Sequence, residues 1–282
     1  MAFVRLLASP LLASSTADAL QRRCAGDGSL LAFVSDPDID TTVCSLRVPD
    51  EGLRKAVASL TETIGVAQSV GRAFRIEIQH SDAASAISDE ALRAVAVDAQ
   101  GALRSSIYIA RRAMAAGPWS AARAMGWGPQ GLVLGDAAPS LPFGGAESSG
   151  VAIEVGSPTV ILKARLAGGL SGAQMHAIAR VCGSGQAGFV EAAVYPIALS
   201  RDGSAYFVIE LSDVKRVPPH RVLTLLEIEA RRYGARLGLG ALLSDAPLSV
   251  FLDALATHMA LPVNAAQVIE THVPAQTVQA TS

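Results

Sequence analysis

No uncharged apolar run in this chain approaches the roughly 20 residues that a membrane-crossing helix needs, although mean hydropathy is +0.36. Alanine and valine supply that excess, so membrane partners are not expected. Charge of one sign is also lacking. Lys and Arg number 23 against 25 Asp and Glu, a formal net charge of -2, which excludes binding nucleic acid through broad phosphate neutralisation. Cysteine is scarce as well. Cys24, Cys44 and Cys182 are widely spaced and form no CxxC pair and no Cys/His cluster at metal-ligand spacing, so structural zinc and a disulfide framework are not expected. The three read as small buried hydrophobes rather than nucleophiles. Met1 to Ser14 carries one arginine and a short apolar stretch that reads as a first strand, not a leader. A cytoplasmic setting is the expectation.

What remains is half hydrophobic and sparsely charged, the composition of a well-buried globular chain. Phe3 to Leu7 reads as a strand, Ala17 to Cys24 as a helix, Leu30 to Val34 and Thr42 to Val48 as strands. Asp50 is placed to cap a helix whose apolar positions Leu53, Val57, Leu60 and Ile64 recur at helical spacing, and Phe74 to Gln79 alternates as another strand. Ser88 starts a further helix, "SIYIA" forms a strand, and 110–126 reads as helical apart from a break at "GPW". From 128 to 158 the chain is rich in glycine, proline and serine, which predicts a linker or binding loop and a boundary near Gly150.

The second half is read as a strand from Thr159 to Leu166, a helix from Ser171 to Val181, two strands around "RDGS", a helix from Pro218 to Tyr233 with Gly234 at its C-cap, and a strand in "ARLGLGALLS". That order is βαββαβ, the ferredoxin-like arrangement. The fold class expected is α/β (α+β), with two ferredoxin-like βαββαβ subdomains, 1–150 and 151–282, packed around a central cleft.

The stretch "FVIELSDVKRVPPHRVLTLLEIEARRYGARLGLGALLSDAPLSVFLDA" resembles the formiminotransferase domain family, in which a strand ends in Asn-Leu-x-Asp, a Thr-Pro-x-His turn starts a helix and Glu-Ala-x-x-x-Gly ends it. Asp213, Pro219, His220, Glu229, Ala230 and Gly234 stand at the matching places. "PTVILKARL", "LPVNAAQVIE" and, more faintly, "LLAFVSDPDIDTTVCSLRVPDEGLRKAV" extend the likeness. The resemblance implies transfer of a formimino or formyl group to or from tetrahydrofolate, an amino-acid-like anionic substrate, a histidine base, no metal and a homodimer.

Departures from the pattern are informative. The family's His-Pro-Arg-Met-Gly-Ala segment, which holds the catalytic histidine, is replaced by "SVGRAFRIEI", with Gly71, Arg72 and Ala73 but no histidine. Where the family has paired asparagines on a strand this chain has Lys163 and Arg165, and Glu210 replaces the Asn before Leu-x-Asp. Residues two apart share one face of a strand, so a neutral amide lining becomes a charged one.

Lys163, Arg165, Glu210 and Asp213 therefore form either a pocket whose cations hold a carboxylate or phosphate, or a mutually neutralising ion network. His220, behind a double proline at a helix start, is either an acid or base whose pKa is lowered by the positive helix end, or a helix-entry histidine with a structural hydrogen bond. His80, with Asp82 beside it, is either a displaced base or an ordinary strand-end histidine. Pro142, Gly145 and Ala146 match the family's folate-contacting Pro-x-x-Gly-Ala segment, and the same composition suits a flexible connection. Asp36, Asp38 and Asp40 lack calcium-loop spacing and read as turn chemistry. Three functions stay open: a diverged folate-linked transferase, a relative repurposed for other small-molecule chemistry, and a non-catalytic binding or assembly protein.

Overall fold

Alternation along β1 (Ala2–Ser9) sets the plan of the first half. Ala2, Val4, Leu6 and Ala8 point into an apolar core under the helices, while Arg5 and Leu7 point to the opposite side. The computed structural model describes residues 2–9, 11–26, 29–39, 41–67, 73–80, 89–103, 107–112, 121–128, 131–134, 150–156, 159–183, 188–199 and 205–258. After β1 come α1 (Ser14–Gly26), β2 (Leu30–Asp36), β3 (Thr41–Val48), α2 (Leu53–Ala67) and β4 (Ala73–His80). The expected stripe Leu53, Val57, Leu60 and Ile64 is buried on α2. Just before that helix Pro49, held extended at ψ 154°, takes the cap of a short 3-10 turn, and Asp50 lies in the acidic first turn of it.

The four strands pair antiparallel in the order β2-β3-β1-β4, the order of a split βαβ unit. The sheet then continues past β4. After α3 (Asp89–Leu103), which packs on α2, follow β5 (Ile107–Arg112), β6 (Ala121–Gly128), β7 (Gly131–Leu134) and β8 (Gly150–Gly156). β8 inserts parallel between β4 and β5, with β6 and β7 beyond. This corrects two expectations. The region 110–126 is not helical where described: Ile107 pairs with Trp127 and Ile109 with Met125, and this cross-strand pairing overrides the helix propensity of its alanines. The stretch 128–158 contains two strands, and the boundary expected near Gly150 falls at the start of a strand of the first sheet.

The second half repeats the plan with β9 (Val160–Ala167), α4 (Gly172–Cys182), β10 (Ala192–Leu199), β11 (Ala205–Leu211), α5 (Pro219–Arg231), β12 (Arg236–Leu237), β13 (Ala241–Leu242) and α6 (Leu248–His258). Ser171 and Gln174 close a reciprocal capping box at α4, and Gly234 turns the chain out of α5 at φ 76°. The order β10-β11-β9-β12 is again that of a split βαβ unit. The strand expected over "ARLGLGALLS" is two short pieces on β9, with Leu237 opposite Leu166 and Ala241 opposite Lys163. Three residues, 238–240, therefore lie against two, 164–165, a bulge that throws Leu239 out to 92% exposure. A β-carbon at Gly240 would lie 2.6 Å from the Lys163 carbonyl oxygen, so glycine permits this approach.

Each sheet carries helices on one side and turns its other side to the other sheet. Leu7, Ile39 and Val43 of the first half form one apolar cluster with Ile161, Tyr206, Val208 and Leu243 of the second. The layers run helix, sheet, sheet, helix, a mixed α/β fold. Among the described residues no helix is long and apolar enough to cross a membrane.

Candidate functional site

The site assembles where the two sheets face each other, from strand register. On β1, Arg5 stands opposite Ser45 of β3 on one side and Glu77 of β4 on the other. Its guanidinium donates to Glu77 Oε2 and Thr159 Oγ1, both at 2.8 Å, and reaches Asp245 Oδ1 at 2.8 Å. Thr159 Oγ1 donates to Glu77 Oε2 at 2.9 Å, and Gln79 Nε2 donates to the same oxygen at 3.1 Å.

Two residues along β4 from Glu77, on the same face, is Arg75. It meets Glu77 Oε1 at 3.0 Å and clasps Glu210 of β11 through both terminal nitrogens. Arg5 is 2% exposed, Arg75 0%, Glu77 2% and Glu210 0%. Charges so buried are tolerated only when each is paired and hydrogen-bonded. The network supplies those partners from both halves, so the face that was expected to be a cleft is filled at this point.

Lys163 makes a second junction. Its Nζ lies 2.5 Å from Asp36 Oδ2, 2.8 Å from Asp38 Oδ2 and 5.1 Å from the centre of the Tyr206 ring. Burial pulls the Lys163 pKa down, but hydrogen bonds and attraction from Asp36 and Asp38 outweigh it and hold the ammonium above its ordinary value. The Asp38 amide donates to Asp36 Oδ1 at 3.0 Å, so this acidic turn shapes itself and presents both carboxylates to one lysine.

Lys163, Arg165 and Glu210 do share one sheet face, with Val208 opposite Lys163, Tyr206 opposite Arg165 and Ile161 opposite Glu210. Lys163 and Glu210 are not each other's partners: each pairs with charges of the first half. Asp213 lies in the turn after β11, where its Oδ1 accepts from the amides of Lys215 and Arg216 at 3.0 and 3.2 Å. His220 is in the first turn of α5, in the helical layer, and its Nε2 is 3.3 Å from Thr257 Oγ1 on α6. His80 ends β4 beside Ala2. Its side chain, like Asp40, Asp82, Pro142, Gly145 and Ala146, lies outside the described residues.

Arg5, Arg75, Glu77, Thr159 and Asp245 were not singled out from the sequence. The signal for three polar positions was present in "FRIEIQ", where Arg75, Glu77 and Gln79 occupy alternate places. Alternation alone assigns such a face to solvent, and its burial depends on a partner 135 residues away.

An open groove of about 810 Å³ lies elsewhere, between α1, β3 and α2, with Arg23, Arg47 and Lys55 on its walls and Cys24 among its lining residues. No group of three or more His, Cys, Asp or Glu side chains able to hold a metal occurs among the described residues. In comparison with known proteins, no family model matches the chain and no curated protein matches it.

Proposed function

We propose that this chain is a diverged relative of the formiminotransferase domain in which the face between the halves has become a fixed ionic joint, and that it works as a non-catalytic binding or assembly protein. The observation that carries this reading is the Arg75–Glu210 pair, fully buried between the sheets. The resemblance gives Glu210 and Lys163 to a ligand cleft, and here each is already met by an opposite charge. An anionic substrate would have to displace Glu210 from Arg75 and replace all of its hydrogen bonds in a site closed to water.

The lost histidine supports the same reading. The segment that would hold it ends at Ala73, where β4 begins, and the next inward charge on that strand is Arg75, which cannot act as a base at neutral pH. Loss of a general base typically lowers rates by about 10²- to 10⁴-fold. The purified chain is therefore expected to show no turnover of N-formiminoglutamate with tetrahydrofolate. Robust turnover would overturn this reading in favour of a folate-linked transferase.

The proposal extends to a homodimer, supported by exposed Ile228, Leu239, Leu248 and Phe251 in the second half. Light scattering at micromolar concentration tests it, and a monomer contradicts it. A cytoplasmic setting is part of the same proposal, since three cysteines without a disulfide suit a reducing compartment.

A further inference from the structure

The groove of about 810 Å³ between α1, β3 and α2 differs from the joint in how its charges are matched. Arg23, Arg47 and Lys55 line it, and Glu62 is the one carboxylate among its lining residues. Arg23 holds that carboxylate at 3.0 Å and also donates to Thr63 Oγ1 at 3.4 Å. The Arg47 and Lys55 side chains make no ion pair and no hydrogen bond among the described residues. Even Glu51, at the spacing of a helical ion pair four residues before Lys55, does not take it up.

The backbone nonetheless carries both cations to one place. Arg47 is the single exposed position of β3, and its amide donates to the Ser29 carbonyl oxygen at 2.7 Å, which fixes the strand end there. Lys55 and Ser59, four residues apart, share one face of α2. The Ser59 hydroxyl lines the same groove and is likewise without a hydrogen-bond partner among the described residues. Pro49 and Ala56 add an apolar stretch of wall beside these unclaimed donors.

We propose that this groove binds a small organic phosphate monoester, its phosphate held by Arg47, Lys55 and Ser59 and its organic body against Pro49 and Ala56. A guanidinium fork, an ammonium point charge and a hydroxyl are the donor types that phosphate recognition uses. A phosphate monoester offers three acceptor oxygens and about two negative charges at neutral pH, where a carboxylate offers two oxygens and one charge. The groove also falls within the roughly 300–1,000 Å³ of small-molecule sites. It lies among the helices of the first half, apart from Arg75 and Glu210, so its occupancy does not depend on whether the joint is closed.

Calorimetric titration of the full chain with phenyl phosphate, alongside inorganic phosphate and benzoate, tests this. Phenyl phosphate should bind saturably, one per chain, and at least about threefold more tightly than either companion. Arg47→Gln and Lys55→Gln should each weaken it about tenfold and Ser59→Ala about threefold. Arg221→Gln removes an exposed cation on α5, outside the groove, and should leave the affinity unchanged. The three groove side chains have no partner in the described chain, so melting temperatures of these variants should stay close to the wild type. Absence of saturable phenyl phosphate binding, or equal affinity for benzoate, overturns the proposal. Equal affinity for inorganic phosphate would overturn the organic body. Groove substitutions without effect, or an equal loss in Arg221→Gln, would show diffuse attraction of anions instead of a site.

Discussion

Arg75 of β4 and Glu210 of β11 meet across the face between the two sheets, each from a different half of the chain and each without exposure to solvent. Glu77 touches both arginines, Arg5 at 2.8 Å and Arg75 at 3.0 Å, and so links this pair to the Arg5–Asp245 pair. Two arginines and two glutamates are thus committed to one another where the resemblance would leave room for a ligand.

Breaking one partner of that pair should be severe. Glu210→Gln takes the paired carboxylate away from the Arg75 guanidinium in a dry interior, and the expected loss is about 3 kcal/mol or more. Replacing both, Arg75→Met with Glu210→Leu, removes the buried charges together and should bring stability back to within about 1 kcal/mol of the wild type. Chemical denaturation of the three proteins checks this. A single substitution that changes stability by less than about 1 kcal/mol would mean that the pair does not join the halves.

Lys163 should matter in the same way but less, because Asp38 is half exposed. Lys163→Met is expected to lower stability by about 1 to 2 kcal/mol at neutral pH, since it leaves Asp36 and Asp38 facing each other without a cation. The pH dependence has a definite sign. The folded pKa of Lys163 is raised above the unfolded value, which is about 10.4. Its contribution is therefore fully present below that pH and is lost as the pH rises through the folded value. The stability gap between wild type and Lys163→Met should stay level up to about pH 10 and shrink above it. A gap that widens with rising pH would contradict the ion pairing.

Much of the fold was legible in the sequence, for a physical reason. Strands packed on one side by helices keep a strict period of two, so "FVRLL", "FRIEIQ" and "VILKARL" read correctly, as did the common face of Lys163, Arg165 and Glu210. The alanine- and glycine-rich stretch after Arg112 has no such contrast, and pairing with β5 and β7 makes 121–128 a strand. The partners of the charged face were illegible because Arg75 and Glu210 lie 135 residues apart and Arg5 and Asp245 lie 240 apart. Cys24 and Cys44 each read correctly as buried.

The bulge on β9 gives a paired test of close packing. A β-carbon at Gly240 would meet the Lys163 carbonyl oxygen at 2.6 Å, whereas one at Gly238 would sit 3.5 Å from the Arg165 carbonyl oxygen, an ordinary contact. Gly240→Ala should therefore destabilise by about 1 to 3 kcal/mol through forced backbone movement, and Gly238→Ala by less than about 1 kcal/mol. Thermal melts of the two variants side by side decide it, and equal effects would contradict the register of β13 on β9.

The most direct test of a closed joint against an open cleft is a spectroscopic titration of the wild-type chain and Glu210→Gln with tetrahydrofolate. With Glu210 bound to Arg75, the wild-type chain should show no saturable binding, and Glu210→Gln, which takes away no ligand contact, should show none either. Saturable binding by the wild type that weakens in a folded Glu210→Gln variant would show that Glu210 contacts a ligand, and would contradict the ionic joint.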